Sequence, residues 1–470
     1  MNFVDGVIRP EDPHVVADKL KDISSQDASF LPGYLATLAK GGGAIAPLAP
    51  KLATEAATKL FAALVGDLVA DVTPAKLGHT IAKKRADGSR LNLNLLGEAV
   101  FGEAEATRRL AATTELIERD DVDYVSLKVS SVIGHHAPYG VVEAIEHAVE
   151  KLLPVFRTAQ QHGTFINLDM EEYKDLYLTI EVFMKILDRD EFLNYRAGIV
   201  LQSYLPDGRA ALADLTAWSK ERRARGGAPI KVRIVKGANL SMERVDATMR
   251  GWELAVQSSK ADTDANYLVM LKDALTKENT DAVHIGIAGQ NLFTLAYGVL
   301  LAMDNGLEIG REVDVEMLAG MATPQAQAVR DEVGPLLYYV PVVRPEEYDV
   351  AISYLVRRLE ENATPENFMS NVFNLDDAAT FEKEAERFRT AARKAEEGIA
   401  FGPRRLQDRT KAPEPVSHEF ENTPDTDPSL PANIAWARDI ASRMATSDLG
   451  EETAHSHTIT TYEEIDEVVK

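Results

Sequence analysis

The 470-residue chain has an apolar fraction of 45%, so it can bury one large core or two moderate ones. Its formal net charge of -23, with no Lys- or Arg-rich stripe, argues against a nucleic-acid partner, because a phosphate backbone would be repelled. The absence of cysteine excludes disulfides, thiolate metal sites and cysteine nucleophiles and favours a cytoplasmic location, and no stretch resembles an export signal or a membrane span.

The first segment is predicted to be helical. Residues 13 to about 87 carry alanine-rich sequence with a helical period, such as KLATEAATKLFAALVGDLVADV. The glycines at 41 to 43 follow helical sequence rather than a strand, so we interpret them as a loop and not as a phosphate-binding turn. Residues 1–89 are therefore predicted to form a small helical arm.

From about residue 91, short apolar runs alternate with longer amphipathic ones. The eight strand candidates are LNLNLL, YVSLKVSSV, TFINLDM, AGIVLQSY, IKVRIVKG, VHIGIAG, VEMLAGM and LLYYVPV. Helical patterns separate them, and a final helix is predicted over about 346–362. Eight such units in about 270 residues are typical of a (β/α)8 TIM-like barrel of the α/β class, whereas no glycine fingerprint supports an open dinucleotide-binding sheet. We assign residues 90–400 to the barrel and 401–470 to an irregular linker or tail.

Several charged residues are predicted to point into the barrel, because alternate strand residues face the lumen. In IKVRIVKG the apolar alternation turns Lys231 and Arg233 inward, with Arg233 at the mouth. The same alternation turns Lys128 inward and places Asn167 and Asp169 on one face. Buried charges require partners, so these residues indicate either an internal ion-pair network that closes the barrel or an anionic ligand.

The final helix carries a second group of polar residues. Tyr354, Arg357, Arg358 and Glu361 are spaced at i, i+3, i+4 and i+7, so they project from one face. They form either a solvated stripe or, if the helix covers the barrel mouth, a clamp in which two guanidiniums grip a small carboxylate. Glu98, just after the first strand, is either a helix-start acid or an arginine partner, and the second interpretation is preferred.

Other catalytic sites find little support in the sequence. His135 and His136 are adjacent, which is poor spacing for two ligands of one metal, and the remaining histidines are scattered, so no metal site is expected. No GxSxG or HExxH motif is present, so the hydrolase classes lack a nucleophile or a zinc site.

The residues from about 90 to 362 resemble the proline dehydrogenase family, and in particular the dehydrogenase half of the bifunctional proline-utilisation enzymes. The resemblance rests on an ordered set of short segments: LGE at 96–98, SLKVSS, LDMEE, LQSY, VRIVKGA, DTDANY, LAGM, YYVPV and YLVRRLEEN. It implies a (β/α)8 barrel that holds non-covalent FAD, oxidises L-proline to Δ1-pyrroline-5-carboxylate and passes the electrons to membrane quinone. It also implies a cytoplasmic enzyme that meets the inner face of the cell membrane peripherally.

The resemblance also implies roles for individual residues. Asp169 and Arg233 would be catalytic, with Arg233 near the flavin N5 edge, and Glu98 would pair with Arg357. Substrate binding would fall to Lys128, Leu318, Tyr339, Tyr354, Arg357 and Arg358. Flavin contacts would come from Gln202, Arg233, Val235, Lys236, Gly237, Ala238, Lys260, Gln290, Asn291 and Glu361.

The chain departs from the family pattern at three places. Asn239 and Leu240 stand where bifunctional members carry Tyr-Trp, which removes two aromatic contacts expected around the flavin. Residues 288–291 read Ala-Gly-Gln-Asn instead of Ala-Thr-His-Asn, and Asn94 replaces an expected aspartate. No clamp residue is lost, so altered cofactor affinity is expected before an altered reaction.

Two questions stay open at this point. The segment ENTPDTDPSLPANIAWARDI resembles the junction to an aldehyde dehydrogenase half, so the chain is expected to be either part of a longer enzyme or a dehydrogenase whose partner is another polypeptide. The alternatives to a proline-oxidising enzyme are a non-catalytic barrel that acts as a binding module and a flavoenzyme for hydroxyproline or another cyclic amino acid. Tyr339 should crowd a ring hydroxyl, which favours proline.

Overall fold

A parallel β-barrel forms the centre of the molecule. The computed structural model describes residues 10, 12–24, 50–51, 54, 68–97, 100, 102–134, 137–347, 351, 354–356, 358, 364–399, 402–411, 422–452 and 459–469. Its strands are β1 Ala70–Asp71, β2 Arg90–Leu95, β3 Tyr124–Lys128, β4 Phe165–Asp169, β5 Ala197–Gln202, β6 Ile230–Val235, β7 Val283–Ala288, β8 Val313–Leu318 and β9 Leu337–Val343. From β2 to β9 each strand pairs with the next, and β9 also pairs with β2, which closes the ring. The predicted eight-stranded (β/α)8 barrel is therefore confirmed.

Helices surround the barrel and follow its strands. In the described part of the chain they are α1 Pro13–Ser24, α2 Pro74–Arg85, α3 Glu103–Ile117, α4 Val141–His162, α5 Asp175–Leu187, α6 Gly208–Ala224, α7 Leu240–Arg250, α8 Lys260–Ala274, α9 Lys277–Thr280, α10 Leu292–Asp304, α11 Thr323–Val333, α12 Ala378–Glu397, α13 Pro431–Met444 and α14 Tyr462–Val469. Residues 351, 354–356 and 358 are also helical, within the predicted final helix. None of these described helices is long and apolar enough to cross a membrane.

The main core lies between the strands and the helices. The outward residues of each strand are apolar and buried, as at Val232 and Ile234 of β6, and they pack on helices such as α4, which buries ten residues along one face. The inward residues include the charged and amide side chains of the lumen. This division explains the alternation that the sequence shows within apolar strands.

A ninth strand joins the barrel where the sequence predicts continuous helix. β1 pairs with residues 342–343 of β9. β8 pairs with an earlier part of β9, residues 337–339. The β-branched Val69 and Val72 flank β1, and Asp71 accepts a hydrogen bond from the amide of Thr73 at 2.9 Å just before α2 begins. The predicted continuous helix is therefore interrupted at residues 70–71 and helical structure resumes in α2, while most of the predicted arm, including the glycines at 41–43, lies outside the described residues.

The predicted tail also contains ordered structure that packs on the barrel. Residues 402–411 and 422–430 lead into α13, whose Ile434 belongs to the main hydrophobic core. α13 begins at Pro431, a residue favoured in the first helical turn because it has no amide hydrogen to leave unpaired. The boundaries proposed at residues 89 and 400 stay predictions.

Candidate functional site

Five predicted site residues end the strands that carry them. Lys128, Asp169, Gln202, Val235 and Leu318 are the last residues of β3, β4, β5, β6 and β8. Because the strands are parallel, their carboxyl ends meet at one mouth of the barrel. The structure thus brings these residues to the end of the barrel where TIM-barrel active sites are found.

Asp169 connects several side chains at this mouth. Its Oδ1 accepts hydrogen bonds from Arg233 Nη2 at 2.5 Å and from Asn167 Nδ2 at 2.8 Å. Its Oδ2 accepts from the hydroxyl of Tyr339 at 2.9 Å, and Asn94 in turn donates to that hydroxyl. The two predicted catalytic residues are therefore in direct contact, and Asn94 contributes a hydrogen bond at the position where the family carries aspartate.

The network holds Arg233 charged and Tyr339 neutral. Burial by itself would lower the pKa of Arg233, but the charges of Asp169 and Glu316 outweigh burial and raise it. Burial raises the pKa of Tyr339 well above its usual value, and the neighbouring Asp169 raises it further. The Arg233 guanidinium lies 4.9 Å from the centre of the Tyr339 ring. The mouth therefore carries a permanent positive charge over an aromatic face.

A deeper ion cluster was not predicted from the sequence as a site. Glu316, only 2% exposed, lies 2.6 Å from Lys231 Nζ and 3.7 Å from Arg233 Nη1. Lys231 also pairs with Asp314 at 2.6 Å, and these acids raise its pKa against the opposing effect of burial. The alternation that placed Arg233 inward also applies to β8, where Asp314, Glu316 and Leu318 share the lumen face, so a signal for this cluster was present.

Lys128 has a partner from the loop after β4. Its Nζ lies 2.5 Å from Glu171 Oε2, and both side chains are largely buried. The prediction that Lys128 turns inward is supported by the register, which pairs it with Asp169 across β3 and β4. Glu171 lies in the LDMEE segment, although the sequence assigned it no role.

Two glutamines at the mouth retain an unused acceptor. Gln202 donates through Nε2 to the carbonyls of Met170 and Glu171 at 2.9 and 3.3 Å, and Gln290 donates to the carbonyl of Leu318 at 3.1 Å. Rotating either amide would place oxygen against oxygen, so these contacts fix its orientation. The buried Oε1 of each glutamine has no hydrogen-bond partner among the described residues. A ligand that donates hydrogen bonds would satisfy both atoms.

A pair of lysines shares one carboxylate beside the end of β6. Lys236 and Lys260 lie 2.7 and 2.8 Å from Asp264. Burial, reinforced by repulsion from Lys260, lowers the pKa of Lys236 to about 8, although Asp264 opposes the shift. The next residue, Gly237, has φ of 116° and lies so close to the Tyr204 ring that an added Cβ would meet ring carbons at 2.6 Å. Only glycine fits this turn.

The remaining predicted cofactor residues lie in the loops around these lysines. Val235 ends β6, and its carbonyl accepts a hydrogen bond from the amide of Ser203 at 2.8 Å. Ala238 is exposed, whereas the following Asn239 is buried and donates to the carbonyl of Glu171 at 3.2 Å. Asn291 caps α10 by accepting from two backbone amides. Asn239, expected only to remove an aromatic contact, thus ties two loops together.

The predicted substrate pocket is described in part. Tyr354 belongs to a small apolar cluster against which Leu318 packs. The Arg358 guanidinium lies 5.1 Å from the centre of the Tyr354 ring, so both residues share one face of the helix as predicted. Glu98, Arg357 and Glu361 lie outside the described residues.

No group of three or more His, Asp or Glu side chains that could hold a metal ion occurs in the ranges that the structure describes. The mouth instead combines a fixed positive charge, a hydrogen-bonded aspartate and buried amide acceptors. Such a set can bind an anionic organic substrate and an organic cofactor that donates hydrogen bonds.

Comparison with known proteins agrees with this geometry. Residues 77–371 match the sequence profile of the family described as proline dehydrogenase, which covers more than half of the chain. The chain belongs to the proline dehydrogenase family. The family match spans β2 to β9 and ends in the segment after the final predicted helix.

Relatives of two kinds share this family's region. The chain is 26% identical over 323 residues to the bifunctional protein PutA of Klebsiella aerogenes, covering 63% of this chain and 24% of that protein. It is 29% identical over 293 residues to a proline dehydrogenase of Deinococcus radiodurans, covering 60% of this chain and 80% of that protein.

A solved structure extends the likeness to the fold. Proline utilization A (PutA) from Corynebacterium freiburgense is 44% identical, with a TM-score of 0.70, over 81% of this chain and 37% of that one. The chain therefore spans less than half of the bifunctional proteins that it resembles.

Proposed function

We propose that this protein oxidises L-proline to Δ1-pyrroline-5-carboxylate with FAD as its cofactor and membrane quinone as the electron acceptor. The observation that carries the proposal is the buried contact of Arg233, Asp169 and Tyr339 at the barrel mouth, beside Lys128, in a member of the proline dehydrogenase family. A network that only closed the barrel would not require a cation at its open end.

The substrate is proposed to bind through its carboxylate. Arg357 and Arg358 would grip both oxygens, and Lys128 would add a third positive charge. The Tyr354 ring packs against the Arg358 guanidinium, while Tyr339 and Leu318, paired across β8 and β9, would bound the proline ring. A carboxylate held at two points fixes which ring carbon faces the reaction centre.

The residues at the mouth suit a flavin. The unused Oε1 atoms of Gln202 and Gln290 can accept from a ring N–H or from ribityl hydroxyls. Arg233 Nη1 makes no hydrogen bond to the described residues, since its approach to Glu316 is 3.7 Å, so it can donate to the ligand. Lys236 and Lys260 would face the anionic phosphates. The other residues proposed to touch the cofactor are Val235, Gly237, Ala238, Asn291 and Glu361.

Bound FAD would supply the two-electron acceptor for the hydride that leaves proline C5. The chain's own residues position the substrate and stabilise the charge that develops during the reaction. Arg233 keeps its charge at every relevant pH and favours negative charge that develops nearby, while Asp169 prevents its side chain from swinging away. Tyr339 stays neutral because its pKa is raised, so it would limit the size of the pocket without adding a negative charge beside Asp169.

The test is an anaerobic titration of the FAD-loaded protein with L-proline. Bleaching of the flavin absorbance band, with L-hydroxyproline reacting much less well, is the expected result. A protein that takes up no FAD, or whose bound flavin does not bleach with excess proline, would support a non-catalytic barrel instead. Preferential bleaching by hydroxyproline would show that the substrate was misassigned.

The proposed product also suggests a partner. Δ1-Pyrroline-5-carboxylate opens by hydrolysis to an aldehyde, and the PutA relatives are named as bifunctional proteins. We therefore propose that an aldehyde dehydrogenase, as a domain or as a separate polypeptide, takes the product. The proposed location is the cytoplasm, with peripheral contact at the inner face of the cell membrane to reach the quinone.

A further inference from the structure

A buried charged cluster lies outside the barrel, where the C-terminal segment crosses the loops after β4 and β6. Arg405 and Asp427 come from this segment and Glu243 comes from α7, and their side chains are 4%, 2% and 5% exposed. Arg405 Nη1 lies 3.1 Å from Asp427 Oδ2, and Nη2 lies 3.9 Å from Glu243 Oε2. Removing three charges from water is costly, so their geometry must be closely defined by the surrounding chain.

Arg405 holds the loop after β4 in two ways. Its guanidinium lies 5.1 Å from the centre of the Tyr173 ring and 4.8 Å from that of Trp252. Glu243, its charged neighbour, accepts a hydrogen bond from the backbone amide of Tyr173 at 2.7 Å. Burial raises the pKa of Glu243, and the amide of Tyr173 and the charge of Arg405 both oppose this shift. Loss of Arg405 would therefore weaken both contacts to Tyr173.

The same loop reaches the predicted active site two residues earlier. The side chain of Glu171 pairs with Lys128 at 2.5 Å. Its carbonyl accepts hydrogen bonds from Asn239 at 3.2 Å and from Gln202 at 3.3 Å. One short loop thus touches the residue proposed to bind proline and a residue proposed to bind flavin.

We propose that Arg405 is a positioning residue of the active site, which acts by holding residues 170–174 in the conformation in which Glu171 fixes Lys128. Residues 402–411 and 422–433 then form a brace on the outside of the barrel and not a passive tail. The effect on proline binding rests on the proposed function, whereas the effect on the loop does not.

The experiment compares Arg405→Leu with Arg404→Leu in the full-length protein. Arg404 is the matched control, because it is the neighbouring arginine and its side chain donates hydrogen bonds to Glu253 and Ser258 at the exposed rim. Hydrogen exchange of the peptide covering residues 170–176 should rise at least about tenfold in Arg405→Leu and stay unchanged in the control. In the FAD-loaded protein, the KM for proline should rise about tenfold, with kcat within about threefold of wild type.

The two measurements separate the possible outcomes. A folded Arg405→Leu protein with wild-type exchange at residues 170–176 would overturn the proposal, and so would a loss of kcat at unchanged KM, which indicates a smaller fraction of folded enzyme. If wild type itself shows no reaction with proline, the proposed function fails and the exchange measurement alone decides the positioning role. If Arg405→Leu does not fold, Arg405→Lys, which keeps the charge but not the planar stacking, should show the same changes at smaller size.

Discussion

At the scale of single residues, the lumen charges divide into two layers with different tasks. Below the mouth, Lys231 forms ion pairs with Asp314 and Glu316. These pairs form the internal network that the sequence offered as one explanation of the inward charges. Arg233 belongs to both layers, since it contacts Asp169 above and Glu316 below. Its charge is therefore compensated from both sides, through Nη2 by Asp169 and through Nη1 by Glu316.

We expect Arg358→Ala to raise the KM for proline by roughly 30- to 150-fold while FAD stays bound, because a charge-assisted hydrogen bond to the carboxylate is worth about 2–3 kcal/mol. The measurement is steady-state kinetics together with flavin absorbance. Arg330→Ala is the matched control, since Arg330 pairs with Asp87 at the opposite end of the barrel. An unchanged KM in Arg358→Ala would refute the clamp.

The affinity for FAD should depend on pH through Lys236. Its pKa is lowered to about 8, so the ammonium is charged below pH 8 and becomes neutral above it. An anionic phosphate favours the charged form, so affinity is highest below pH 8 and should fall by up to about tenfold per pH unit above it. Titrations with FAD at pH 7, 8 and 9 measure this.

Lys236→Met provides the control for the pH dependence. This variant should bind FAD more weakly at pH 7 and show little further loss at pH 9. If it loses affinity above pH 8 as wild type does, another group is responsible.

At the scale of strands and loops, the alternation of side chains explains what the sequence could predict. It placed Lys128, Asp169 and Arg233 on the lumen side correctly, because a strand fixes the direction of every second residue. It could not predict that Tyr339 and Asn94 meet, since they lie in the first and last strands of the barrel and come together only when the barrel closes. No sequence pattern indicates the partners of Arg405, because they come from α7 and from separate loops and follow no common period.

Gly286 in β7 and Gly289 just after it provide a test of how tightly the lumen is packed. A Cβ at Gly286 would lie 3.0 Å from Glu316 Cδ and 3.2 Å from Lys231 Cε, whereas a Cβ at Gly289 would meet no atom within 4 Å. We expect Gly286→Ala to lower the free energy of unfolding by about 1–3 kcal/mol and Gly289→Ala to change it by less than about 1 kcal/mol. Urea unfolding of both variants measures the difference. Equal stabilities would mean that the ion cluster can shift without cost.

At the scale of the whole molecule, the C-terminal segment contributes to the stability of the barrel. Removing residues 402–470 would uncover Trp252, on which Arg405 stacks, and would delete the buried pair of Arg405 and Asp427 together with Ile434. We expect this deletion to lower the free energy of unfolding by more than about 3 kcal/mol.

The matched control removes residues 446–470 only and keeps α13. It should lose less than about 1 kcal/mol, because the side chains described beyond residue 446 are almost all exposed. Urea unfolding followed by circular dichroism compares the two deletions with the full chain. Similar stabilities for all three would show that the segment does not brace the barrel.

The pairing of β2 with β9 has a consequence for folding during synthesis. β2 begins at Arg90 and pairs with β9, which ends at Val343, so its outer edge has no native neighbour until most of the barrel has been synthesised. During that interval the edge can pair with another nascent chain. Closure also joins distant parts of the chain, which makes it a slow step of folding. Expression conditions that slow translation or supply chaperones should therefore affect the yield of this protein more than its final stability.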